Sequence, residues 1–202
     1  EVEAQPFLLK HVFGLMFQLA KRIRSQGFRR KLFARIHRSV GPDLWLFASG
    51  GSRFDERIAA DLSVLGYTVL QAYGLTETSA AATATFARDN AVGTVGKPLR
   101  GVSLRIDSPN DQGIGEVWIR GPILMTGYYR EPEKTREVMS DGWFRSGDLG
   151  YIRSDGNLLI TGRSKDVIVL ASGKNIYPDE LEMHYSQTPY VKELCVLGLP
   201  EG

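Results

Sequence analysis

The sequence predicts an α/β fold joined to a β-rich subdomain, with the start of an α+β unit after it. Three observations lead to this prediction: strand, helix and strand alternate over residues 44–72, short alternating strands follow from about residue 91, and a helical pattern returns after residue 163. The composition is that of a folded globular chain, because 43% of the 202 residues are hydrophobic and 24% are charged. This excludes disordered, collagen-like and disulfide-stapled proteins.

Residues 1–43 are predicted to form a basic helical lead-in. Apolar residues recur at helical spacing as far as Arg38, and Gly27 is expected to divide the stretch into two helices. Residues 1–40 carry nine basic and two acidic side chains, whereas the other 162 residues carry 16 basic and 21 acidic ones. The basic face of residues 7–38 is either solvated surface or a contact with a membrane or an acidic lipid, and both interpretations stay open. No nucleic acid partner is expected, because aromatic side chains are not interleaved for base stacking.

The lead-in is not expected to cross a membrane. Its apolar stretch, residues 7–20, has 14 residues and contains Lys10 and His11, whereas a membrane span needs about 20 apolar residues. The chain opens Glu-Val-Glu-Ala, without a starting Met or the basic segment of a signal peptide, so no signal peptide is expected in these residues. We interpret this opening as the cut edge of a longer cytoplasmic protein, with membrane association as the open alternative.

Residues 44–90 are predicted to form the α/β part. A strand over residues 44–48 runs into the turn 49–52 (Ser-Gly-Gly-Ser), a helix follows over residues 55–65, and a second strand over 68–72 runs into residues 73–78 (Tyr-Gly-Leu-Thr-Glu-Thr). This order is typical of a parallel sheet, in which ligands bind at the carboxyl ends of the strands. Both glycine-containing turns lie at such ends.

Residues 91–163 are predicted to form a barrel or sandwich without helices. Short strands are expected at 102–106, 116–120 and 158–160, separated by turn signals. From residue 164 a strand (167–170), a turn at Gly173, a helix (178–185) and a strand (193–198) predict the start of an α+β domain. The single Cys195 excludes an internal disulfide and is expected to be a buried thiol in the last strand. The three His residues show no metal-ligand spacing, so no structural zinc is expected.

Four segments carry groups that suit a nucleotide. Residues 73–78 combine an aromatic ring that could pack on a base, hydroxyls that could bind a phosphate and the Glu77 carboxylate that could bind Mg²⁺. The alternative is that this segment is only a helix N-terminus capped by Thr76. Asp148, in the glycine-flanked segment 142–148, could accept both hydroxyls of a ribose, or form only an Asx-turn. Arg163 suits a ribose or phosphate contact or a solvated hairpin. Residues 49–52 could equally be an ordinary tight turn.

The order of these segments resembles the acyl-adenylate-forming (ANL) superfamily: acyl-CoA synthetases, peptide-synthetase adenylation domains and beetle luciferases. Residues 73–77 resemble its Tyr-Gly-x-Thr-Glu motif, and residues 115–122, followed by Gly-Tyr-Tyr at 127–129, resemble its Gly-Glu core. Residues 143–150 resemble Trp-Phe-x-Thr-Gly-Asp-x-Gly, with Ser146 in place of Thr, and residues 162–182 resemble the hinge motif. The resemblance is greatest to bacterial medium- and long-chain fatty acyl-CoA ligases.

The resemblance implies sites for ATP or AMP, Mg²⁺ and CoA. It implies an adenine pocket lined by Gly50, Gly51 and Ser52, with Tyr73 stacking on the base and Gly74 beside it. The further implied roles are Thr76 on the α-phosphate, Glu77 on Mg²⁺, Asp148 and Arg163 on the ribose, Ile160 beside the nucleotide, Lys165 as the domain hinge and Gly173 in the CoA channel.

The implied activity is that of an ATP-dependent fatty acid–CoA ligase. A fatty acid and ATP would give acyl-AMP and pyrophosphate, and CoA would then form the thioester. The family's phosphate loop and C-terminal catalytic Lys lie outside these residues, so the chain alone is not expected to catalyse adenylation. A fatty acyl-AMP ligase or adenylation domain that loads a carrier protein remains an alternative, although only 37 residues separate Thr78 from Glu116, little room for an extra insertion. A non-catalytic nucleotide- or lipid-binding module is the third possibility.

Overall fold

The computed structural model describes residues 7–52, 54–186, 188 and 190–199. The chain divides into two compact units, Glu1–Ser49 with Phe54–Leu70, and Gly50–Arg53 with Gln71–Gly202. The segment boundaries expected near residues 43, 90 and 163 stay a prediction.

The first unit is mainly helical. Gly27 does not separate two helices, because it lies inside the second one. The break falls at residues 23–25 instead, where the Ser25 hydroxyl accepts the Phe28 N–H and caps the next helix. A further break follows at Phe33. Over the part of this unit that the structure describes, its helices are α1 (Phe7–Arg22), α2 (Gln26–Leu32), α3 (Ala34–Val40) and α4 (Glu56–Val64).

Helix α4 lies within the predicted range 55–65, one residue shorter at each end because Asp55 and Leu65 are its caps. It begins after Asp55, whose carboxylate accepts the N–H groups of Arg57 and Ile58, and it ends before Gly66, whose φ is 93°. A Cβ at Gly66 would lie 2.8 Å from the Arg30 side chain, so the close approach of α2 requires glycine here.

Part of the basic character of the lead-in is structural. Arg29 donates to the carbonyl oxygens of Ile23 and Ser63, at 2.7 and 3.0 Å. Arg30 donates to those of Leu44 and Pro42, at 2.8 and 2.9 Å. Both guanidinium groups therefore bind backbone, and the free basic surface is smaller than the sequence suggests. Within the described residues, no helix is both long and apolar enough to span a membrane.

The predicted strand–helix–strand order is confirmed. Strand β1 (Leu46–Gly50) precedes α4, and β2 (Thr68–Tyr73) follows it. Two short strands, β3 (Thr83–Ala84) and β4 (Lys97–Pro98), were not predicted. The last two residues of β2 pair antiparallel with β3, which pairs antiparallel with β4, so this sheet is not purely parallel.

The β-rich part is a five-stranded antiparallel sheet. Its strands are β5 (Ser103–Asp107), β6 (Gly115–Arg120), β7 (Met139–Ser140), β8 (Trp143–Ile152) and β9 (Leu158–Arg163). The order is β5-β6-β8-β7, and β9 also pairs with β8. Val117, Ile119, Phe144 and Leu158 are buried in one core cluster. The α/β and β-rich parts of the predicted fold are thus both present.

The expectation that helices are absent from this part is wrong. Helix α5 (Pro132–Val138) lies between β6 and β7. Proline fits the first turn of a helix, where its missing N–H costs no hydrogen bond. Lys134 pairs with Glu131 at 3.2 Å, one turn away. The sequence Glu-Pro-Glu-Lys at residues 131–134 therefore marks the start of this helix.

The last segment agrees with the prediction only in part. Strands β10 (Ile168–Val169) and β11 (Asn175–Ile176) pair antiparallel, and α6 (Pro178–Tyr185) occupies the predicted helix. The strand expected at 193–198 is absent, since the Val196 N–H binds the Glu182 carboxylate at 2.8 Å instead of a neighbouring strand. Cys195 is consequently exposed, and the expected buried thiol is wrong.

Candidate functional site

Asp148 lies in the middle of β8, not in a turn. Glu116 pairs with Leu149 and Trp118 with Arg145, so residues 146–148 lie opposite Val117 alone. Gly147 has a φ of 71°, a conformation that favours glycine. The glycine-flanked segment is therefore a bulge within a ten-residue strand, and the turn predicted for it is wrong.

Three predicted site residues meet at this bulge. The Tyr73 hydroxyl donates to Asp148 Oδ2 at 2.7 Å, and Arg163 Nε lies 3.2 Å from Asp148 Oδ1. Asp148 and Arg163 are also register partners across β8 and β9. The Asp148 side chain is 10% exposed, whereas the Arg163 side chain is 59% exposed. Arg163 is thus the residue through which this group reaches solvent.

Burial dominates the electrostatics of the group. It raises the pKa of Asp148 above its ordinary value, although the Tyr73 hydrogen bond and the charge of Arg163 both act to lower it. Burial, together with the negative charge of Asp148, also raises the pKa of Tyr73. Tyr73 therefore remains a hydrogen-bond donor, and the carboxylate is an acceptor held in a fixed orientation.

Glu77 occupies a second polar position. It lies in the 3₁₀ turn Thr76–Thr78, and its Oε1 accepts the Tyr128 hydroxyl at 2.8 Å. Burial and this hydrogen bond raise the pKa of Tyr128. The Glu77 carbonyl oxygen accepts the Met125 N–H at 2.8 Å, so both the backbone and the side chain of Glu77 are fixed.

The alternative in which Thr76 caps a helix is wrong. The buried Thr78 closes the turn instead, because its hydroxyl oxygen accepts the Leu75 N–H at 2.8 Å and donates to the Leu75 carbonyl at 3.0 Å. Thr76 is exposed. The sequence motif thus combines one threonine that closes the turn with one that is exposed.

Gly74 permits the chain to fold back at the end of β2. A Cβ at Gly74 would lie 1.7 Å from the Ala80 carbonyl oxygen, so no other residue fits there. Ser79 and Ala80 follow with φ values of 51° and 89°, and the Ser79 hydroxyl donates to the Ile123 carbonyl at 2.9 Å. This tight loop lies directly between Tyr73 and β3.

The other predicted site residues lie on other segments, both before and after the 3₁₀ turn in sequence. Gly50 ends β1 with its backbone close to Ala72, the neighbour of Tyr73: a Cβ at Gly50 would be 3.3 Å from the Ala72 carbonyl oxygen. Ile160 packs half-buried against the core of the five-stranded sheet. The remaining four are exposed, and they are Gly51, Ser52, Lys165 and Gly173.

The residues present fit a nucleotide and one magnesium ion. Among the described residues no group of three or more His, Cys, Asp or Glu could hold a metal. Mg²⁺ ordinarily needs only one or two carboxylates, since substrate phosphates and waters complete its octahedron. Glu77, an oxygen donor held by Tyr128, suits that arrangement.

A sequence profile described as AMP-binding enzyme matches residues 11–129. The chain belongs to the AMP-binding enzyme family. The matched residues include β2 with Tyr73, the 3₁₀ turn with Glu77, and Tyr128. The resemblance found in the sequence motifs is thereby confirmed.

The curated relatives of the chain are much longer than the chain itself. The long-chain-fatty-acid–CoA ligase FadD15 of Mycobacterium bovis is 37% identical over 180 residues, which are 89% of this chain and 29% of that protein. The chloroplastic long-chain-fatty-acid–[acyl-carrier-protein] ligase AEE15 of Arabidopsis thaliana is 30% identical over 187 residues, which are 84% of this chain and 26% of that protein. The chain thus spans less than a third of the length of these curated relatives.

Solved structures confirm the fold class. O-succinylbenzoate coenzyme A synthetase (MenE) from Bacillus subtilis, in complex with AMP, matches with a TM-score of 0.73 and 26% identity, over 85% of this chain and 37% of that one. The same synthetase in complex with ATP and a magnesium ion matches with a TM-score of 0.67 over 81% of this chain and 36% of that one. Both share the fold class predicted for this chain.

Two residues of the site, Tyr128 and Glu116, were not predicted, and the Thr78 hydroxyl, one of those expected for a phosphate, closes the turn instead. Tyr128 belongs to the Gly-Tyr-Tyr continuation noted in the sequence, so its motif was visible without its partner. Its hydrogen bond to Glu77 joins positions 51 residues apart, and no local pattern reveals such a contact. Glu116 is the second residue of β6, and its carboxylate accepts the Gly147 N–H at 3.1 Å.

Proposed function

We propose that this chain forms the nucleotide-holding part of an ATP-dependent fatty acid–CoA ligase, an acid–thiol ligase that releases AMP. The observation that supports this most strongly is the group around Asp148 in a chain of the AMP-binding enzyme family. The Asp148 carboxylate lies 2.7 Å from the Tyr73 hydroxyl and 3.2 Å from Arg163 Nε. A fatty acid carboxylate attacks the α-phosphorus of ATP and pyrophosphate leaves. The CoA thiol then attacks the acyl carbon, and AMP leaves as the thioester forms.

In the proposed site Asp148 accepts hydrogen bonds from the ribose hydroxyls. Its orientation is set beforehand by Tyr73 and Arg163, so little conformational entropy is lost when the nucleotide binds. Arg163 supports the sugar from its exposed position. The Tyr73 ring packs on the adenine, beside Gly50, Gly51, Ser52 and Ile160.

The phosphates are assigned to the 3₁₀ turn. The exposed Thr76 hydroxyl donates to the α-phosphate. Glu77 holds Mg²⁺, which, when bound, stabilises the negative charge that develops on the departing pyrophosphate. Tyr128 keeps the Glu77 carboxylate in place through its hydrogen bond of 2.8 Å.

The acceptor side is assigned to the segment after β9. Lys165 serves as the hinge between the two half-reactions, and Gly173 lines the channel for the CoA thiol. Nothing would lie within 4 Å of a Cβ at Gly173, which supports an open path beside it. A carrier protein in place of CoA remains the second candidate, since AEE15 is named for that acceptor.

A peripheral membrane contact through residues 7–38 is a further part of the proposal. Val12, Leu15 and Leu19 lie on one face of α1 and are 45, 73 and 57% exposed. Lys21 and Arg22 end the same helix. An apolar stripe beside basic side chains suits the interface of an anionic bilayer. Sedimentation with anionic vesicles tests this, and equal binding by a Leu15→Ser, Leu19→Ser double variant would contradict it.

Calorimetric titration of the chain with AMP tests the nucleotide site. We expect Asp148→Asn to weaken AMP binding by about tenfold or more, because a charged acceptor is lost. The matched control Asp111→Asn lies in an exposed turn and should bind AMP like the unmodified chain. Equal affinity in all three would refute the assignment.

The ligase activity is tested by transplantation. The segment of FadD15 that matches this chain is replaced by residues of this chain, and pyrophosphate release and acyl-CoA formation are measured with a long-chain fatty acid. In the control chimera, the same segment of FadD15 is replaced by the corresponding segment of a second curated CoA ligase. A chimera that binds AMP but releases no pyrophosphate, beside an active control, would overturn the ligase assignment.

A further inference from the structure

The bulge that carries Asp148 lacks the ordinary support of a strand. Between Glu116 and Trp118 the register of β6 and β8 shifts, so Ser146, Gly147 and Asp148 face a single partner residue. In a regular antiparallel pair the backbone groups of the two strands satisfy each other. Here the N–H groups of residues 147 and 148 need other acceptors, since buried backbone donors are almost always paired.

Ser146 supplies the first acceptor. Its hydroxyl donates to the Val117 carbonyl at 2.6 Å and accepts the Asp148 N–H at 3.0 Å. The residue is 7% exposed. One buried hydroxyl therefore bridges β6 to the backbone of Asp148 and takes the place of a missing ladder hydrogen bond.

Glu116 supplies the second acceptor. Its Oε1 accepts the Gly147 N–H at 3.1 Å. Its Oε2 accepts the Trp118 indole N–H at 2.9 Å and lies 3.6 Å from Arg145 Nε. The side chain is only 20% exposed, so Trp118 and Arg145 fix the carboxylate in the orientation that holds the bulge.

The far side of the bulge is tied to the next strand. The Gly147 carbonyl accepts the Ser164 N–H at 2.8 Å, one residue beyond Arg163. The peptide groups on both sides of Gly147 are thus fixed, one by the Glu116 side chain and the other by the backbone that follows β9. The position of the Asp148 carboxylate depends on all these contacts.

We propose that Glu116 and Ser146 are positioning residues for ribose recognition. They do not contact the nucleotide. They hold the Asp148 backbone where its carboxylate meets the ribose hydroxyls, and so they determine how strongly the site distinguishes a ribose from a deoxyribose. This inference rests on the proposed function, since it assumes that Asp148 binds the sugar.

The test compares AMP with 2′-deoxy-AMP and 3′-deoxy-AMP by calorimetry on the full chain. The unmodified chain should prefer AMP by about tenfold over each analogue. Ser146→Ala and Glu116→Leu should each weaken AMP binding several-fold while affinity for the analogues changes little, so the preference for AMP shrinks. Ser146→Thr retains a hydroxyl and should retain the preference. Glu137→Leu, on the exposed face of α5, is the matched control.

A merely structural role would give a different result. If the variants lost affinity for all three nucleotides by the same factor, the preference would stay constant and the inference would be overturned. If Ser146→Ala or Glu116→Leu does not fold, the milder variant Glu116→Gln is used to test the positioning role. It should accelerate hydrogen exchange of the Gly147 amide and reduce the preference for AMP; an unchanged preference would overturn the inference.

The outcomes separate this inference from the proposed function. A chain that binds AMP equally well with and without the Asp148→Asn change has no ribose site there, and both fail together. A chain that loses the preference with Asp148→Asn but keeps it in the Ser146 and Glu116 variants supports the proposed function and overturns the positioning role alone.

Discussion

The Tyr73 hydroxyl donates a hydrogen bond of 2.7 Å to the Asp148 carboxylate, although the two residues are 75 positions apart. Tyr73 ends β2 and Asp148 lies in the bulge of β8. The aromatic ring proposed for the base and the carboxylate proposed for the ribose are therefore fixed relative to each other by one contact. This relation determines the first two predictions.

Tyr73→Phe is expected to destabilise the chain by about 2 kcal/mol at neutral pH, because a largely buried carboxylate loses its hydroxyl donor. The ring remains, so AMP binding should fall less than in Tyr73→Leu. Urea unfolding measures the first effect and calorimetry the second. Tyr129→Phe is the matched control: Tyr129 is 83% exposed, and its change should stay within about 0.5 kcal/mol. A Tyr73→Phe chain as stable as the unmodified one would contradict the prediction.

The pH dependence of stability should reveal the raised pKa of Asp148. The folded chain binds this proton more tightly than the unfolded chain, whose carboxyl has the ordinary value of 3.8. The resulting stabilisation is complete below that pH and is lost as the pH rises through the raised pKa. The difference in free energy of unfolding between the unmodified chain and Asp148→Asn should therefore fall as the pH rises from below 3.8 to 7. A difference that grows over this range would mean that the Arg163 ion pair outweighs burial.

Glu77→Gln should remove the magnesium dependence of ATP binding. The unmodified chain is expected to bind ATP more tightly with Mg²⁺ than without it, and the amide lacks the charge that favours the ion. AMP binding without Mg²⁺ should stay within about twofold, since Tyr128 keeps an oxygen acceptor. Titrations with ATP and Mg²⁺, ATP and EDTA, and AMP alone separate these effects. An undiminished magnesium effect in Glu77→Gln would assign the ion to other groups.

Local signals were sufficient for several elements. Helix α6 confirms the helix predicted at 178–185, and its first turn suits a helix start, because Pro178 lacks only an N–H that would be unpaired there and Asp179 and Glu180 suit the positive end of the helix dipole. The strand–helix–strand order was predicted from apolar runs bounded by glycine. Strand β8 was not predicted, because its glycines, Gly147 and Gly150, are typical of a turn. Only the pairing of β8 with β6 and β9 shows that they lie inside a strand.

The contacts within the site were likewise not predictable from local sequence patterns. The order of the motifs identified Tyr73, Asp148 and Arg163 together, but no pattern indicated that their side chains touch. The contact of Glu116 with Gly147 joins positions 31 residues apart, and it exists only because β6 and β8 pair out of register. Such contacts follow from tertiary packing, which a single sequence does not display. Cys195 was misjudged for a related reason: its apolar neighbours predict a strand, but Glu182 takes the N–H of Val196.

Gly74→Ala is expected to be strongly destabilising, whereas Gly14→Ala should be mildly stabilising. At Gly74 the new methyl group would lie 1.7 Å from the Ala80 carbonyl oxygen and 2.8 Å from the Ala81 Cα. Both atoms belong to the backbone, so the loop between β2 and β3 must open, at a cost of about 3 kcal/mol. Nothing lies within 4 Å of a Cβ at Gly14, inside α1, where alanine gains about 0.5–1 kcal/mol in helix propensity. Urea unfolding of both variants gives the sign of each change in the free energy of unfolding.

Because the loop also holds Thr76 and Glu77, Gly74→Ala should weaken ATP binding even under conditions in which the chain stays folded. A Gly74→Ala chain with unchanged stability and ATP affinity would show that the tight closure of this loop is not required for the site.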